Sequence, residues 1–355
     1  MIYFGHKKIL MIALIMISIL FSACSSSSGE SPDVPEAYDL LEPDGVQGSG
    51  RLVEDVTDPS TDEEFSETED REEGQQASSS EEIADAWIKE HGIYKEATYV
   101  NISHNDINDV DIDAVIGRLP NLERLVMIDC GLDNDGYAAI QDRHPDIKIV
   151  WEIVLSHWTI RTDSVAFSTY KTTDEEFYMN NDEAYYLKYC NELVALDLGH
   201  NYVSDLTFLE YMPELKILIL VDNVKYKGED ERLYHLTDLS ELRYCPKLRY
   251  LEFFANNVSD FSFMEYLPEL EDLNISYNSV SSIQYLTNLP NLKRLWMEET
   301  YIPYDSYVYL TGLYPGAEIV YFGEGSVDQG WRYGARYWAM RRMFRENIID
   351  PIYRD

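Results

Sequence analysis

One spacing constrains this chain more than any other feature. L-x-x-L-x-L-x-x-N/C-x-L stands complete in Leu122, Leu125, Met127, Cys130 and Leu132. It returns in Leu193, Leu196, Leu198, Asn201 and Val203, and in Leu215, Leu218, Leu220 and Asn223. Further copies are Leu248, Leu251, Phe253, Asn256, Val258; Leu270, Leu273, Ile275, Asn278, Val280; and Leu292, Leu295, Met297, Thr300, Ile302. A truncated first copy is Val100, Ile102, Asn105, Ile107. The polar positions lie 22 residues apart from Asn201 to Asn223, Asn256 to Asn278 and Asn278 to Thr300, and 33 apart from Asn223 to Asn256. The L-x-L core alternates with the period of a strand. One short strand per repeat, stacked in parallel about 4.8 Å from the next, buries a continuous core. The Asn sits at the turn, where carbonyls of the adjacent coil need a buried donor, and Cys130 and Thr300 keep a donor hydrogen there.

On these residues the chain resembles leucine-rich repeat proteins, over roughly 97–321. The V-S-D-L and V-S-D-F pieces beginning at Val203 and Val258 are similar to the 22-residue internalin-like class of bacterial surfaces. The P-D-I-x-I-x-W piece from Pro145 and the R-T-D-S piece from Arg161 resemble those of clostridial repeat lipoproteins. The resemblance implies an α/β solenoid: a curved right-handed arc with short parallel strands on its concave face.

The first 80 residues are of another kind. Lys7 and Lys8 precede an apolar run from Ile9 to Phe21, whose 13 residues span about 20 Å as a helix, short of the roughly 30 Å hydrocarbon core. That reads as an export signal over 1–23. Ser22-Ala23-Cys24 resembles the lipobox of bacterial lipoproteins, with Phe21 where Leu is more common. The resemblance implies cleavage before Cys24, lipidation of its thiol and anchoring to the outer face of a bacterial cell membrane. Ordinary secretion with cleavage nearby is the alternative. Residues 25–80 carry 17 acids against Arg51 and Arg71, and only Tyr38 and Phe65 as aromatics. Nothing there offsets chain entropy by burial, so 24–80 reads as the anchor Cys and a disordered acidic linker.

The remaining boundaries follow from the repeat. Ser79-x-x-Glu82 is a capping box opening a helix with Ile83, Ala84, Trp87 and Ile88 on one face, an N-terminal cap over 81–97. The repeats occupy 98–321, interrupted by an insertion at about 141–190, where Ile147, Ile149, Trp151 and Ile153 alternate as in a strand. The insertion reads as a hairpin and helix packed as an irregular coil, or as the wall of a pocket. Residues 322–355 hold an aromatic and basic helix. It is expected to cap the last coil with Trp338 and Phe344 while its arginines pair with repeat carboxylates; a membrane-surface helix is the other reading. Cys190 and Cys245 occupy a core column two coils apart, about 10 Å, too far for a disulfide.

Composition narrows the function. With 65 Asp and Glu against 28 Lys and Arg, a net charge of −37 repels phosphate backbones, which excludes nucleic-acid binding. Asp109-Val-Asp-Ile-Asp113 lacks the Gly and Glu of a calcium loop, the seven histidines are scattered, and no glycine-rich phosphate loop appears, so no metal or cofactor is expected. Glu252 and Asp272 on neighbouring strands have the separation of a glycosidase pair, but Arg294 beside Asp272 makes an ion pair the simpler reading. No enzyme is expected. The resemblance implies binding of another macromolecule by a monomeric chain, a protein first and an envelope or host glycan second. The expected partner-binding residues are the outward ones flanking the strand leucines: Ile217, Ile219, Val221, Tyr250, Glu252, Phe254, Asp272, Arg294 and Trp296. Ile217, Ile219, Val221, Tyr250 and Phe254 form an apolar patch, expected to be open unless the 141–190 insertion covers it.

Overall fold

The computed structural model describes residues 79–169, 178–227, 232–323 and 330–354. The expected export signal, the anchor Cys24 and all but the last two residues of the expected linker lie outside them. Among the described residues no helix is long and apolar enough to cross a membrane.

The fold is an α/β leucine-rich repeat solenoid. Helix α1 (Ser80–Glu90) opens at the Ser79–Glu82 capping box and buries Ala84 and Ile88. Its Ile83 turns outward, 44% exposed, contrary to the face expected for it. Strands β1 (Tyr99–Asn101), β2 (Arg124–Val126) and β3 (Lys148–Val150) form a first parallel sheet with Val100, Leu125 and Ile149 in register. Helices α2 (Ile112–Gly117) and α3 (Asn134–Arg143) lie between them in sequence. A hairpin follows, β4 (Glu152–Leu155) with β5 (Trp158–Arg161).

The main sheet then runs in space as β14-β13-β12-β11-β8-β7-β6. Its strands are β6 (Ala166–Ser168), β7 (Ala195–Asp197), β8 (Ile217–Ile219), β11 (Tyr250–Glu252), β12 (Asp272–Asn274), β13 (Arg294–Trp296) and β14 (Glu318–Val320). Phe167, Leu196, Leu218, Leu251, Leu273, Leu295 and Ile319 share one row. Between the numbered strands lie the short helix α4 (Asn181–Ala184), the hairpin β9 (Val224–Lys227) with β10 (Arg232–His235), and helix α5 (Tyr304–Leu313). The hairpin explains the 33-residue spacing, because the coil closes across its base where Leu236 N donates to Asn223 O at 2.9 Å.

The turn asparagines hold the coils together. Asn256 donates to Leu220 O and Phe253 O, both at 2.9 Å, and accepts from Asn223 N at 3.0 Å. Asn278 repeats the arrangement with Phe253 O, Ile275 O and Val258 N. Cys130 donates its thiol to Ile102 O at 3.3 Å, and Thr300 its hydroxyl to Met297 O at 3.0 Å. The residue just before each ladder position is left-handed: His104, Asp129, His200, Asp222, Ala255, Tyr277 and Glu299 all have φ between 46° and 63°. That conformation turns the backbone sharply at the strand end, so the amide behind it points back into the stack.

The insertion is corrected by the structure. The run from Ile147 to Ile153 is two strands, not one, broken at Trp151. That indole is fully buried, with ring centroids 5.9 Å from Tyr137 and 5.1 Å from Tyr189. The stretch 141–190 therefore supplies two further coils, at β3 and β6, around the β4–β5 hairpin. Cys190 and Cys245 are buried free thiols, each pushed up to about 12 by burial, which leaves them unreactive. The Asp109–Asp113 stretch serves structure: Asp111 caps α2 by accepting from Ala114 N at 3.1 Å, and Asp113 pairs with Arg143 and His144.

Two substitutions test the ladder. Asn256→Ala should lower stability by about 3 kcal/mol, since it strands a buried N–H and deprives two buried carbonyls of a donor. Ala255→Gly should raise it by about 0.5 kcal/mol, as a non-Gly residue in this conformation costs about 1–2 kcal/mol and Gly loses part of that in backbone entropy. Urea denaturation of both variants reads the two signs directly.

Candidate functional site

Parallel register sets the concave side chains in rows. Ala166, Ala195, Ile217, Tyr250, Asp272 and Arg294 succeed one another across six strands, and Asp197, Ile219, Glu252, Asn274 and Trp296 form the next row. The outward residues picked from the sequence therefore do lie together on one face.

That face is covered, which corrects the expectation of an open patch. Ile217, Tyr250, Asp272 and Trp296 have 0% of their surface exposed, Val221 and Glu252 2%, and Ile219 8%. Phe254 is half-buried against the same cluster, and the Arg294 side chain keeps 11%. The cover is the C-terminal segment, not the 141–190 insertion. Trp331 lies 5.4 Å from Tyr250 and 5.1 Å from Trp296, centroid to centroid. Helix α6 (Ala335–Glu346) follows and buries Ala339, Met340 and Met343. It ends at the far edge of the sheet, where Asn347, left-handed at φ 49°, accepts from Val165 N and Ala166 N at 2.9 and 3.1 Å. The chain then turns back through Asp350. Lys216 Nζ donates to Tyr353 O and Arg249 Nη1 to Ile352 O, both at 2.8 Å.

Residues 330–354 are thus a strap across the arc from β13 to β6, not a cap on its last coil. Trp338, expected to seal that coil, is 61% exposed, and Phe344 packs on the concave cluster. The helix buries its Ala339, Met340 and Met343 stripe because the surface beneath is an apolar field of Ile and Val side chains. The expected arginine pairing is present: Arg336 pairs with Glu271 and, at 3.4 Å, with Asp272. Sequence reasoning missed Trp331, Met340, Met343, Lys216 and Tyr353. The legible signal was the spacing of Arg336, Met340 and Met343, which share one helical face.

The electrostatics are those of a buried ion cluster. Arg294 Nε binds Asp272 Oδ1 at 2.6 Å, donates through Nη1 to Trp331 O at 2.9 Å, and stands 4.4 Å from the Trp331 ring. Burial pushes the Asp272 carboxyl up, and Arg294 and Arg336 only partly oppose it. Glu252 is also raised by burial, against the charge of Arg332, the Trp331 indole and the Tyr250 hydroxyl, which donates to it at 2.8 Å. The Asp197 carboxyl is raised by burial as well. Burial pushes on Glu271 too, but hydrogen bonds from Lys293 and Arg249 and the charge of Arg336 hold it below its ordinary value. The acids considered for hydrolysis, Glu252 and Asp272, are therefore sealed under the strap, and Asp272 is committed to arginine.

A leucine-rich repeat family model matches residues 98–115. No curated protein matches the chain. Among solved structures, an internalin of Listeria monocytogenes is similar at 17% identity and a TM-score of 0.36, over 59% of this chain and 51% of that one. Internalin C2 of the same species is similar at 19% identity and 0.31, over 62% and 84%. A leucine-rich repeat protein of Leptospira interrogans stands at 17% and 0.34, over 62% and 59%. The match spans about half the length of the first of these. These are likenesses of fold, and the solenoid is established by the register of this chain's own sheet.

Tyr250→Ala should cost about 3–5 kcal/mol, the range for a large buried aromatic, and Trp331→Ala a similar amount by chemical denaturation. A loss within about 0.5 kcal/mol would mean an exposed site. The raised Glu252 carboxyl keeps its proton to higher pH when folded than when unfolded. Its contribution is therefore most favourable below the ordinary value of about 4.3 and is lost as pH rises through the folded one. Glu252→Gln removes that loss, so the melting temperature of the variant minus that of wild type should increase from pH 4 to pH 7.

Proposed function

We propose that this chain is an exported, lipid-anchored recognition protein whose leucine-rich repeat arc binds another protein. One observation carries the choice of protein over glycan: the concave face already holds polypeptide. It takes the strap through an apolar stripe on a helix and through lysine and arginine donors to main-chain carbonyls. These are the means by which a peptide segment is recognised, with hot-spot residue types, Tyr250, Trp296 and Arg294, at the centre. A binding role also agrees with a site whose carboxylates are sealed and paired, away from water and substrate.

The full chain, immobilised and offered envelope and host-surface extracts in parallel with a glycan array, should retain a protein saturably. Retention should survive glycosidase treatment of the extract and be lost on proteolysis. Binding confined to the array would turn the reading to glycans. The anchor is tested separately. Cys24→Ala should move the protein from the detergent phase to the aqueous phase, and the wild-type N-terminal peptide should carry the mass of a diacylglyceryl-modified Cys24. A variant that stays in the detergent phase overturns the anchor without touching the binding role.

A further inference from the structure

The strap shows what the concave face recognises and how access to it is governed. Its helix meets the sheet through one face, Arg336, Met340 and Met343, with Ala339 alongside. The sheet answers with an apolar field, Ile217, Ile219 and Tyr250, bordered by the carboxylates of Asp197, Glu271 and Asp272. The match is one of charge as well as shape, because Arg336 sits on Glu271 and Asp272 and the charge of Arg341 acts on Asp197.

The fit is incomplete. Among the described residues, Arg294 Nη2, Arg332 Nε and Tyr353 OH are buried where strap meets sheet without a hydrogen-bond partner. Each such atom weakens the contact relative to its area, since its desolvation is not compensated. An interface of two packed surfaces with such unmet groups is one that a better-matched segment can take over.

We propose that the concave face is a receptor for a basic amphipathic helix of a partner protein, and that Ala335–Glu346 is the intramolecular competitor for it. The partner helix carries an arginine and two apolar residues at the positions of Arg336, Met340 and Met343. Binding requires the strap to lift, so the apparent affinity equals the intrinsic affinity reduced by the fraction of chains with the strap open. This rests on the protein-binding reading and adds to it the class of ligand and the control.

Hydrogen exchange on the full chain is the first measurement. Amides of 335–346 should exchange at least about 100-fold faster than those of the strands at 250–252 and 272–274, because the strap opens while the sheet stays folded. Exchange of both in one cooperative step overturns the proposal, since the strap is then permanent core. The second measurement uses a labelled synthetic peptide of residues 334–347. Saturating peptide should speed exchange in the chain's own helix while the sheet remains protected. The full chain with Met340→Glu should bind the peptide at least about 10-fold more tightly than wild type, and a peptide with Arg336→Glu should fail. A Met340→Glu chain that keeps its strand protection and does not bind overturns the proposal. If that variant does not fold, the wild-type exchange with and without peptide decides alone. Dimerisation of the full chain that frees the same helix would assign the face to a second copy and overturn the partner assignment. Failure of these tests leaves capture by the immobilised chain, and hence the broader binding role, standing on its own.

Discussion

The structure depends on one repeated hydrogen-bond device, the buried turn amide that serves two coils at once. Asn223 donates to Leu198 O in the coil before it and accepts from Val203 N, while its own backbone N–H is taken by Asn256. Each coil therefore completes the polar groups of its neighbour, and none is satisfied alone. That requirement is why the strands stack in register, and register is what turns the residues flanking each strand leucine into rows.

Rows amplify composition. A single Ile beside a strand leucine would be an ordinary surface residue, but Ile217, Ile219 and Val221 lie next to Tyr250 and Trp331 in one cluster. The face they make is too apolar to meet water unaided. The strands β7, β8, β11 and β12 are accordingly buried at all three positions, not at alternate ones. A parallel sheet covered on both faces is the ordinary way to bury such strands. The leucine side is covered by the coils themselves, and the other side by the strap. The molecule has two cores sharing one sheet, and the second is as much a consequence of the repeat as the first.

The arc and its ladder were legible in the sequence because they are local: a period, a polar position and a strand alternation recur within each 22-residue window. The coils at β3, β6 and β14 were not, because Ile149, Phe167 and Ile319 stand in for leucine without the turn donor, Asn, Cys130 or Thr300, that marks the others. The outward residues do share one face, yet their openness was misjudged. Whether Tyr250 meets water depends on Trp331, 81 positions away in the chain, and no periodicity connects them. The helix at 335–346 was read from Trp338 and Phe344 alone. Phe344 does pack on the concave cluster beside Ala339, Met340 and Met343, but Trp338 turns to solvent, and only the surface beneath decides which residues of the helix are buried. Methionine's unbranched side chain suits an uneven floor of Ile and Val.

The ion cluster shows why the strap can leave without wrecking the sheet. Glu271 takes Arg249 and Lys293 from the sheet at 3.0 and 2.9 Å, in addition to Arg336 from the strap. Asp272 likewise keeps Arg294 at 2.6 Å whether or not Arg336 is present. Removing one member of a buried pair usually strands an uncompensated charge, at a cost of several kcal/mol. Here the strap's arginine is the third partner of one carboxylate and the second of the other, so its departure strands neither. Glu252 keeps the Tyr250 hydroxyl, which belongs to the sheet, at 2.8 Å. Lifting therefore strands neither Glu271 nor Asp272, and Arg336 itself moves into water. What opposes opening is the burial of Trp331, Ala339, Met340 and Met343 together with the hydrogen bonds of Arg294, Lys216 and Arg249 to strap carbonyls, and a partner helix with the same stripe replaces the last three of the apolar residues.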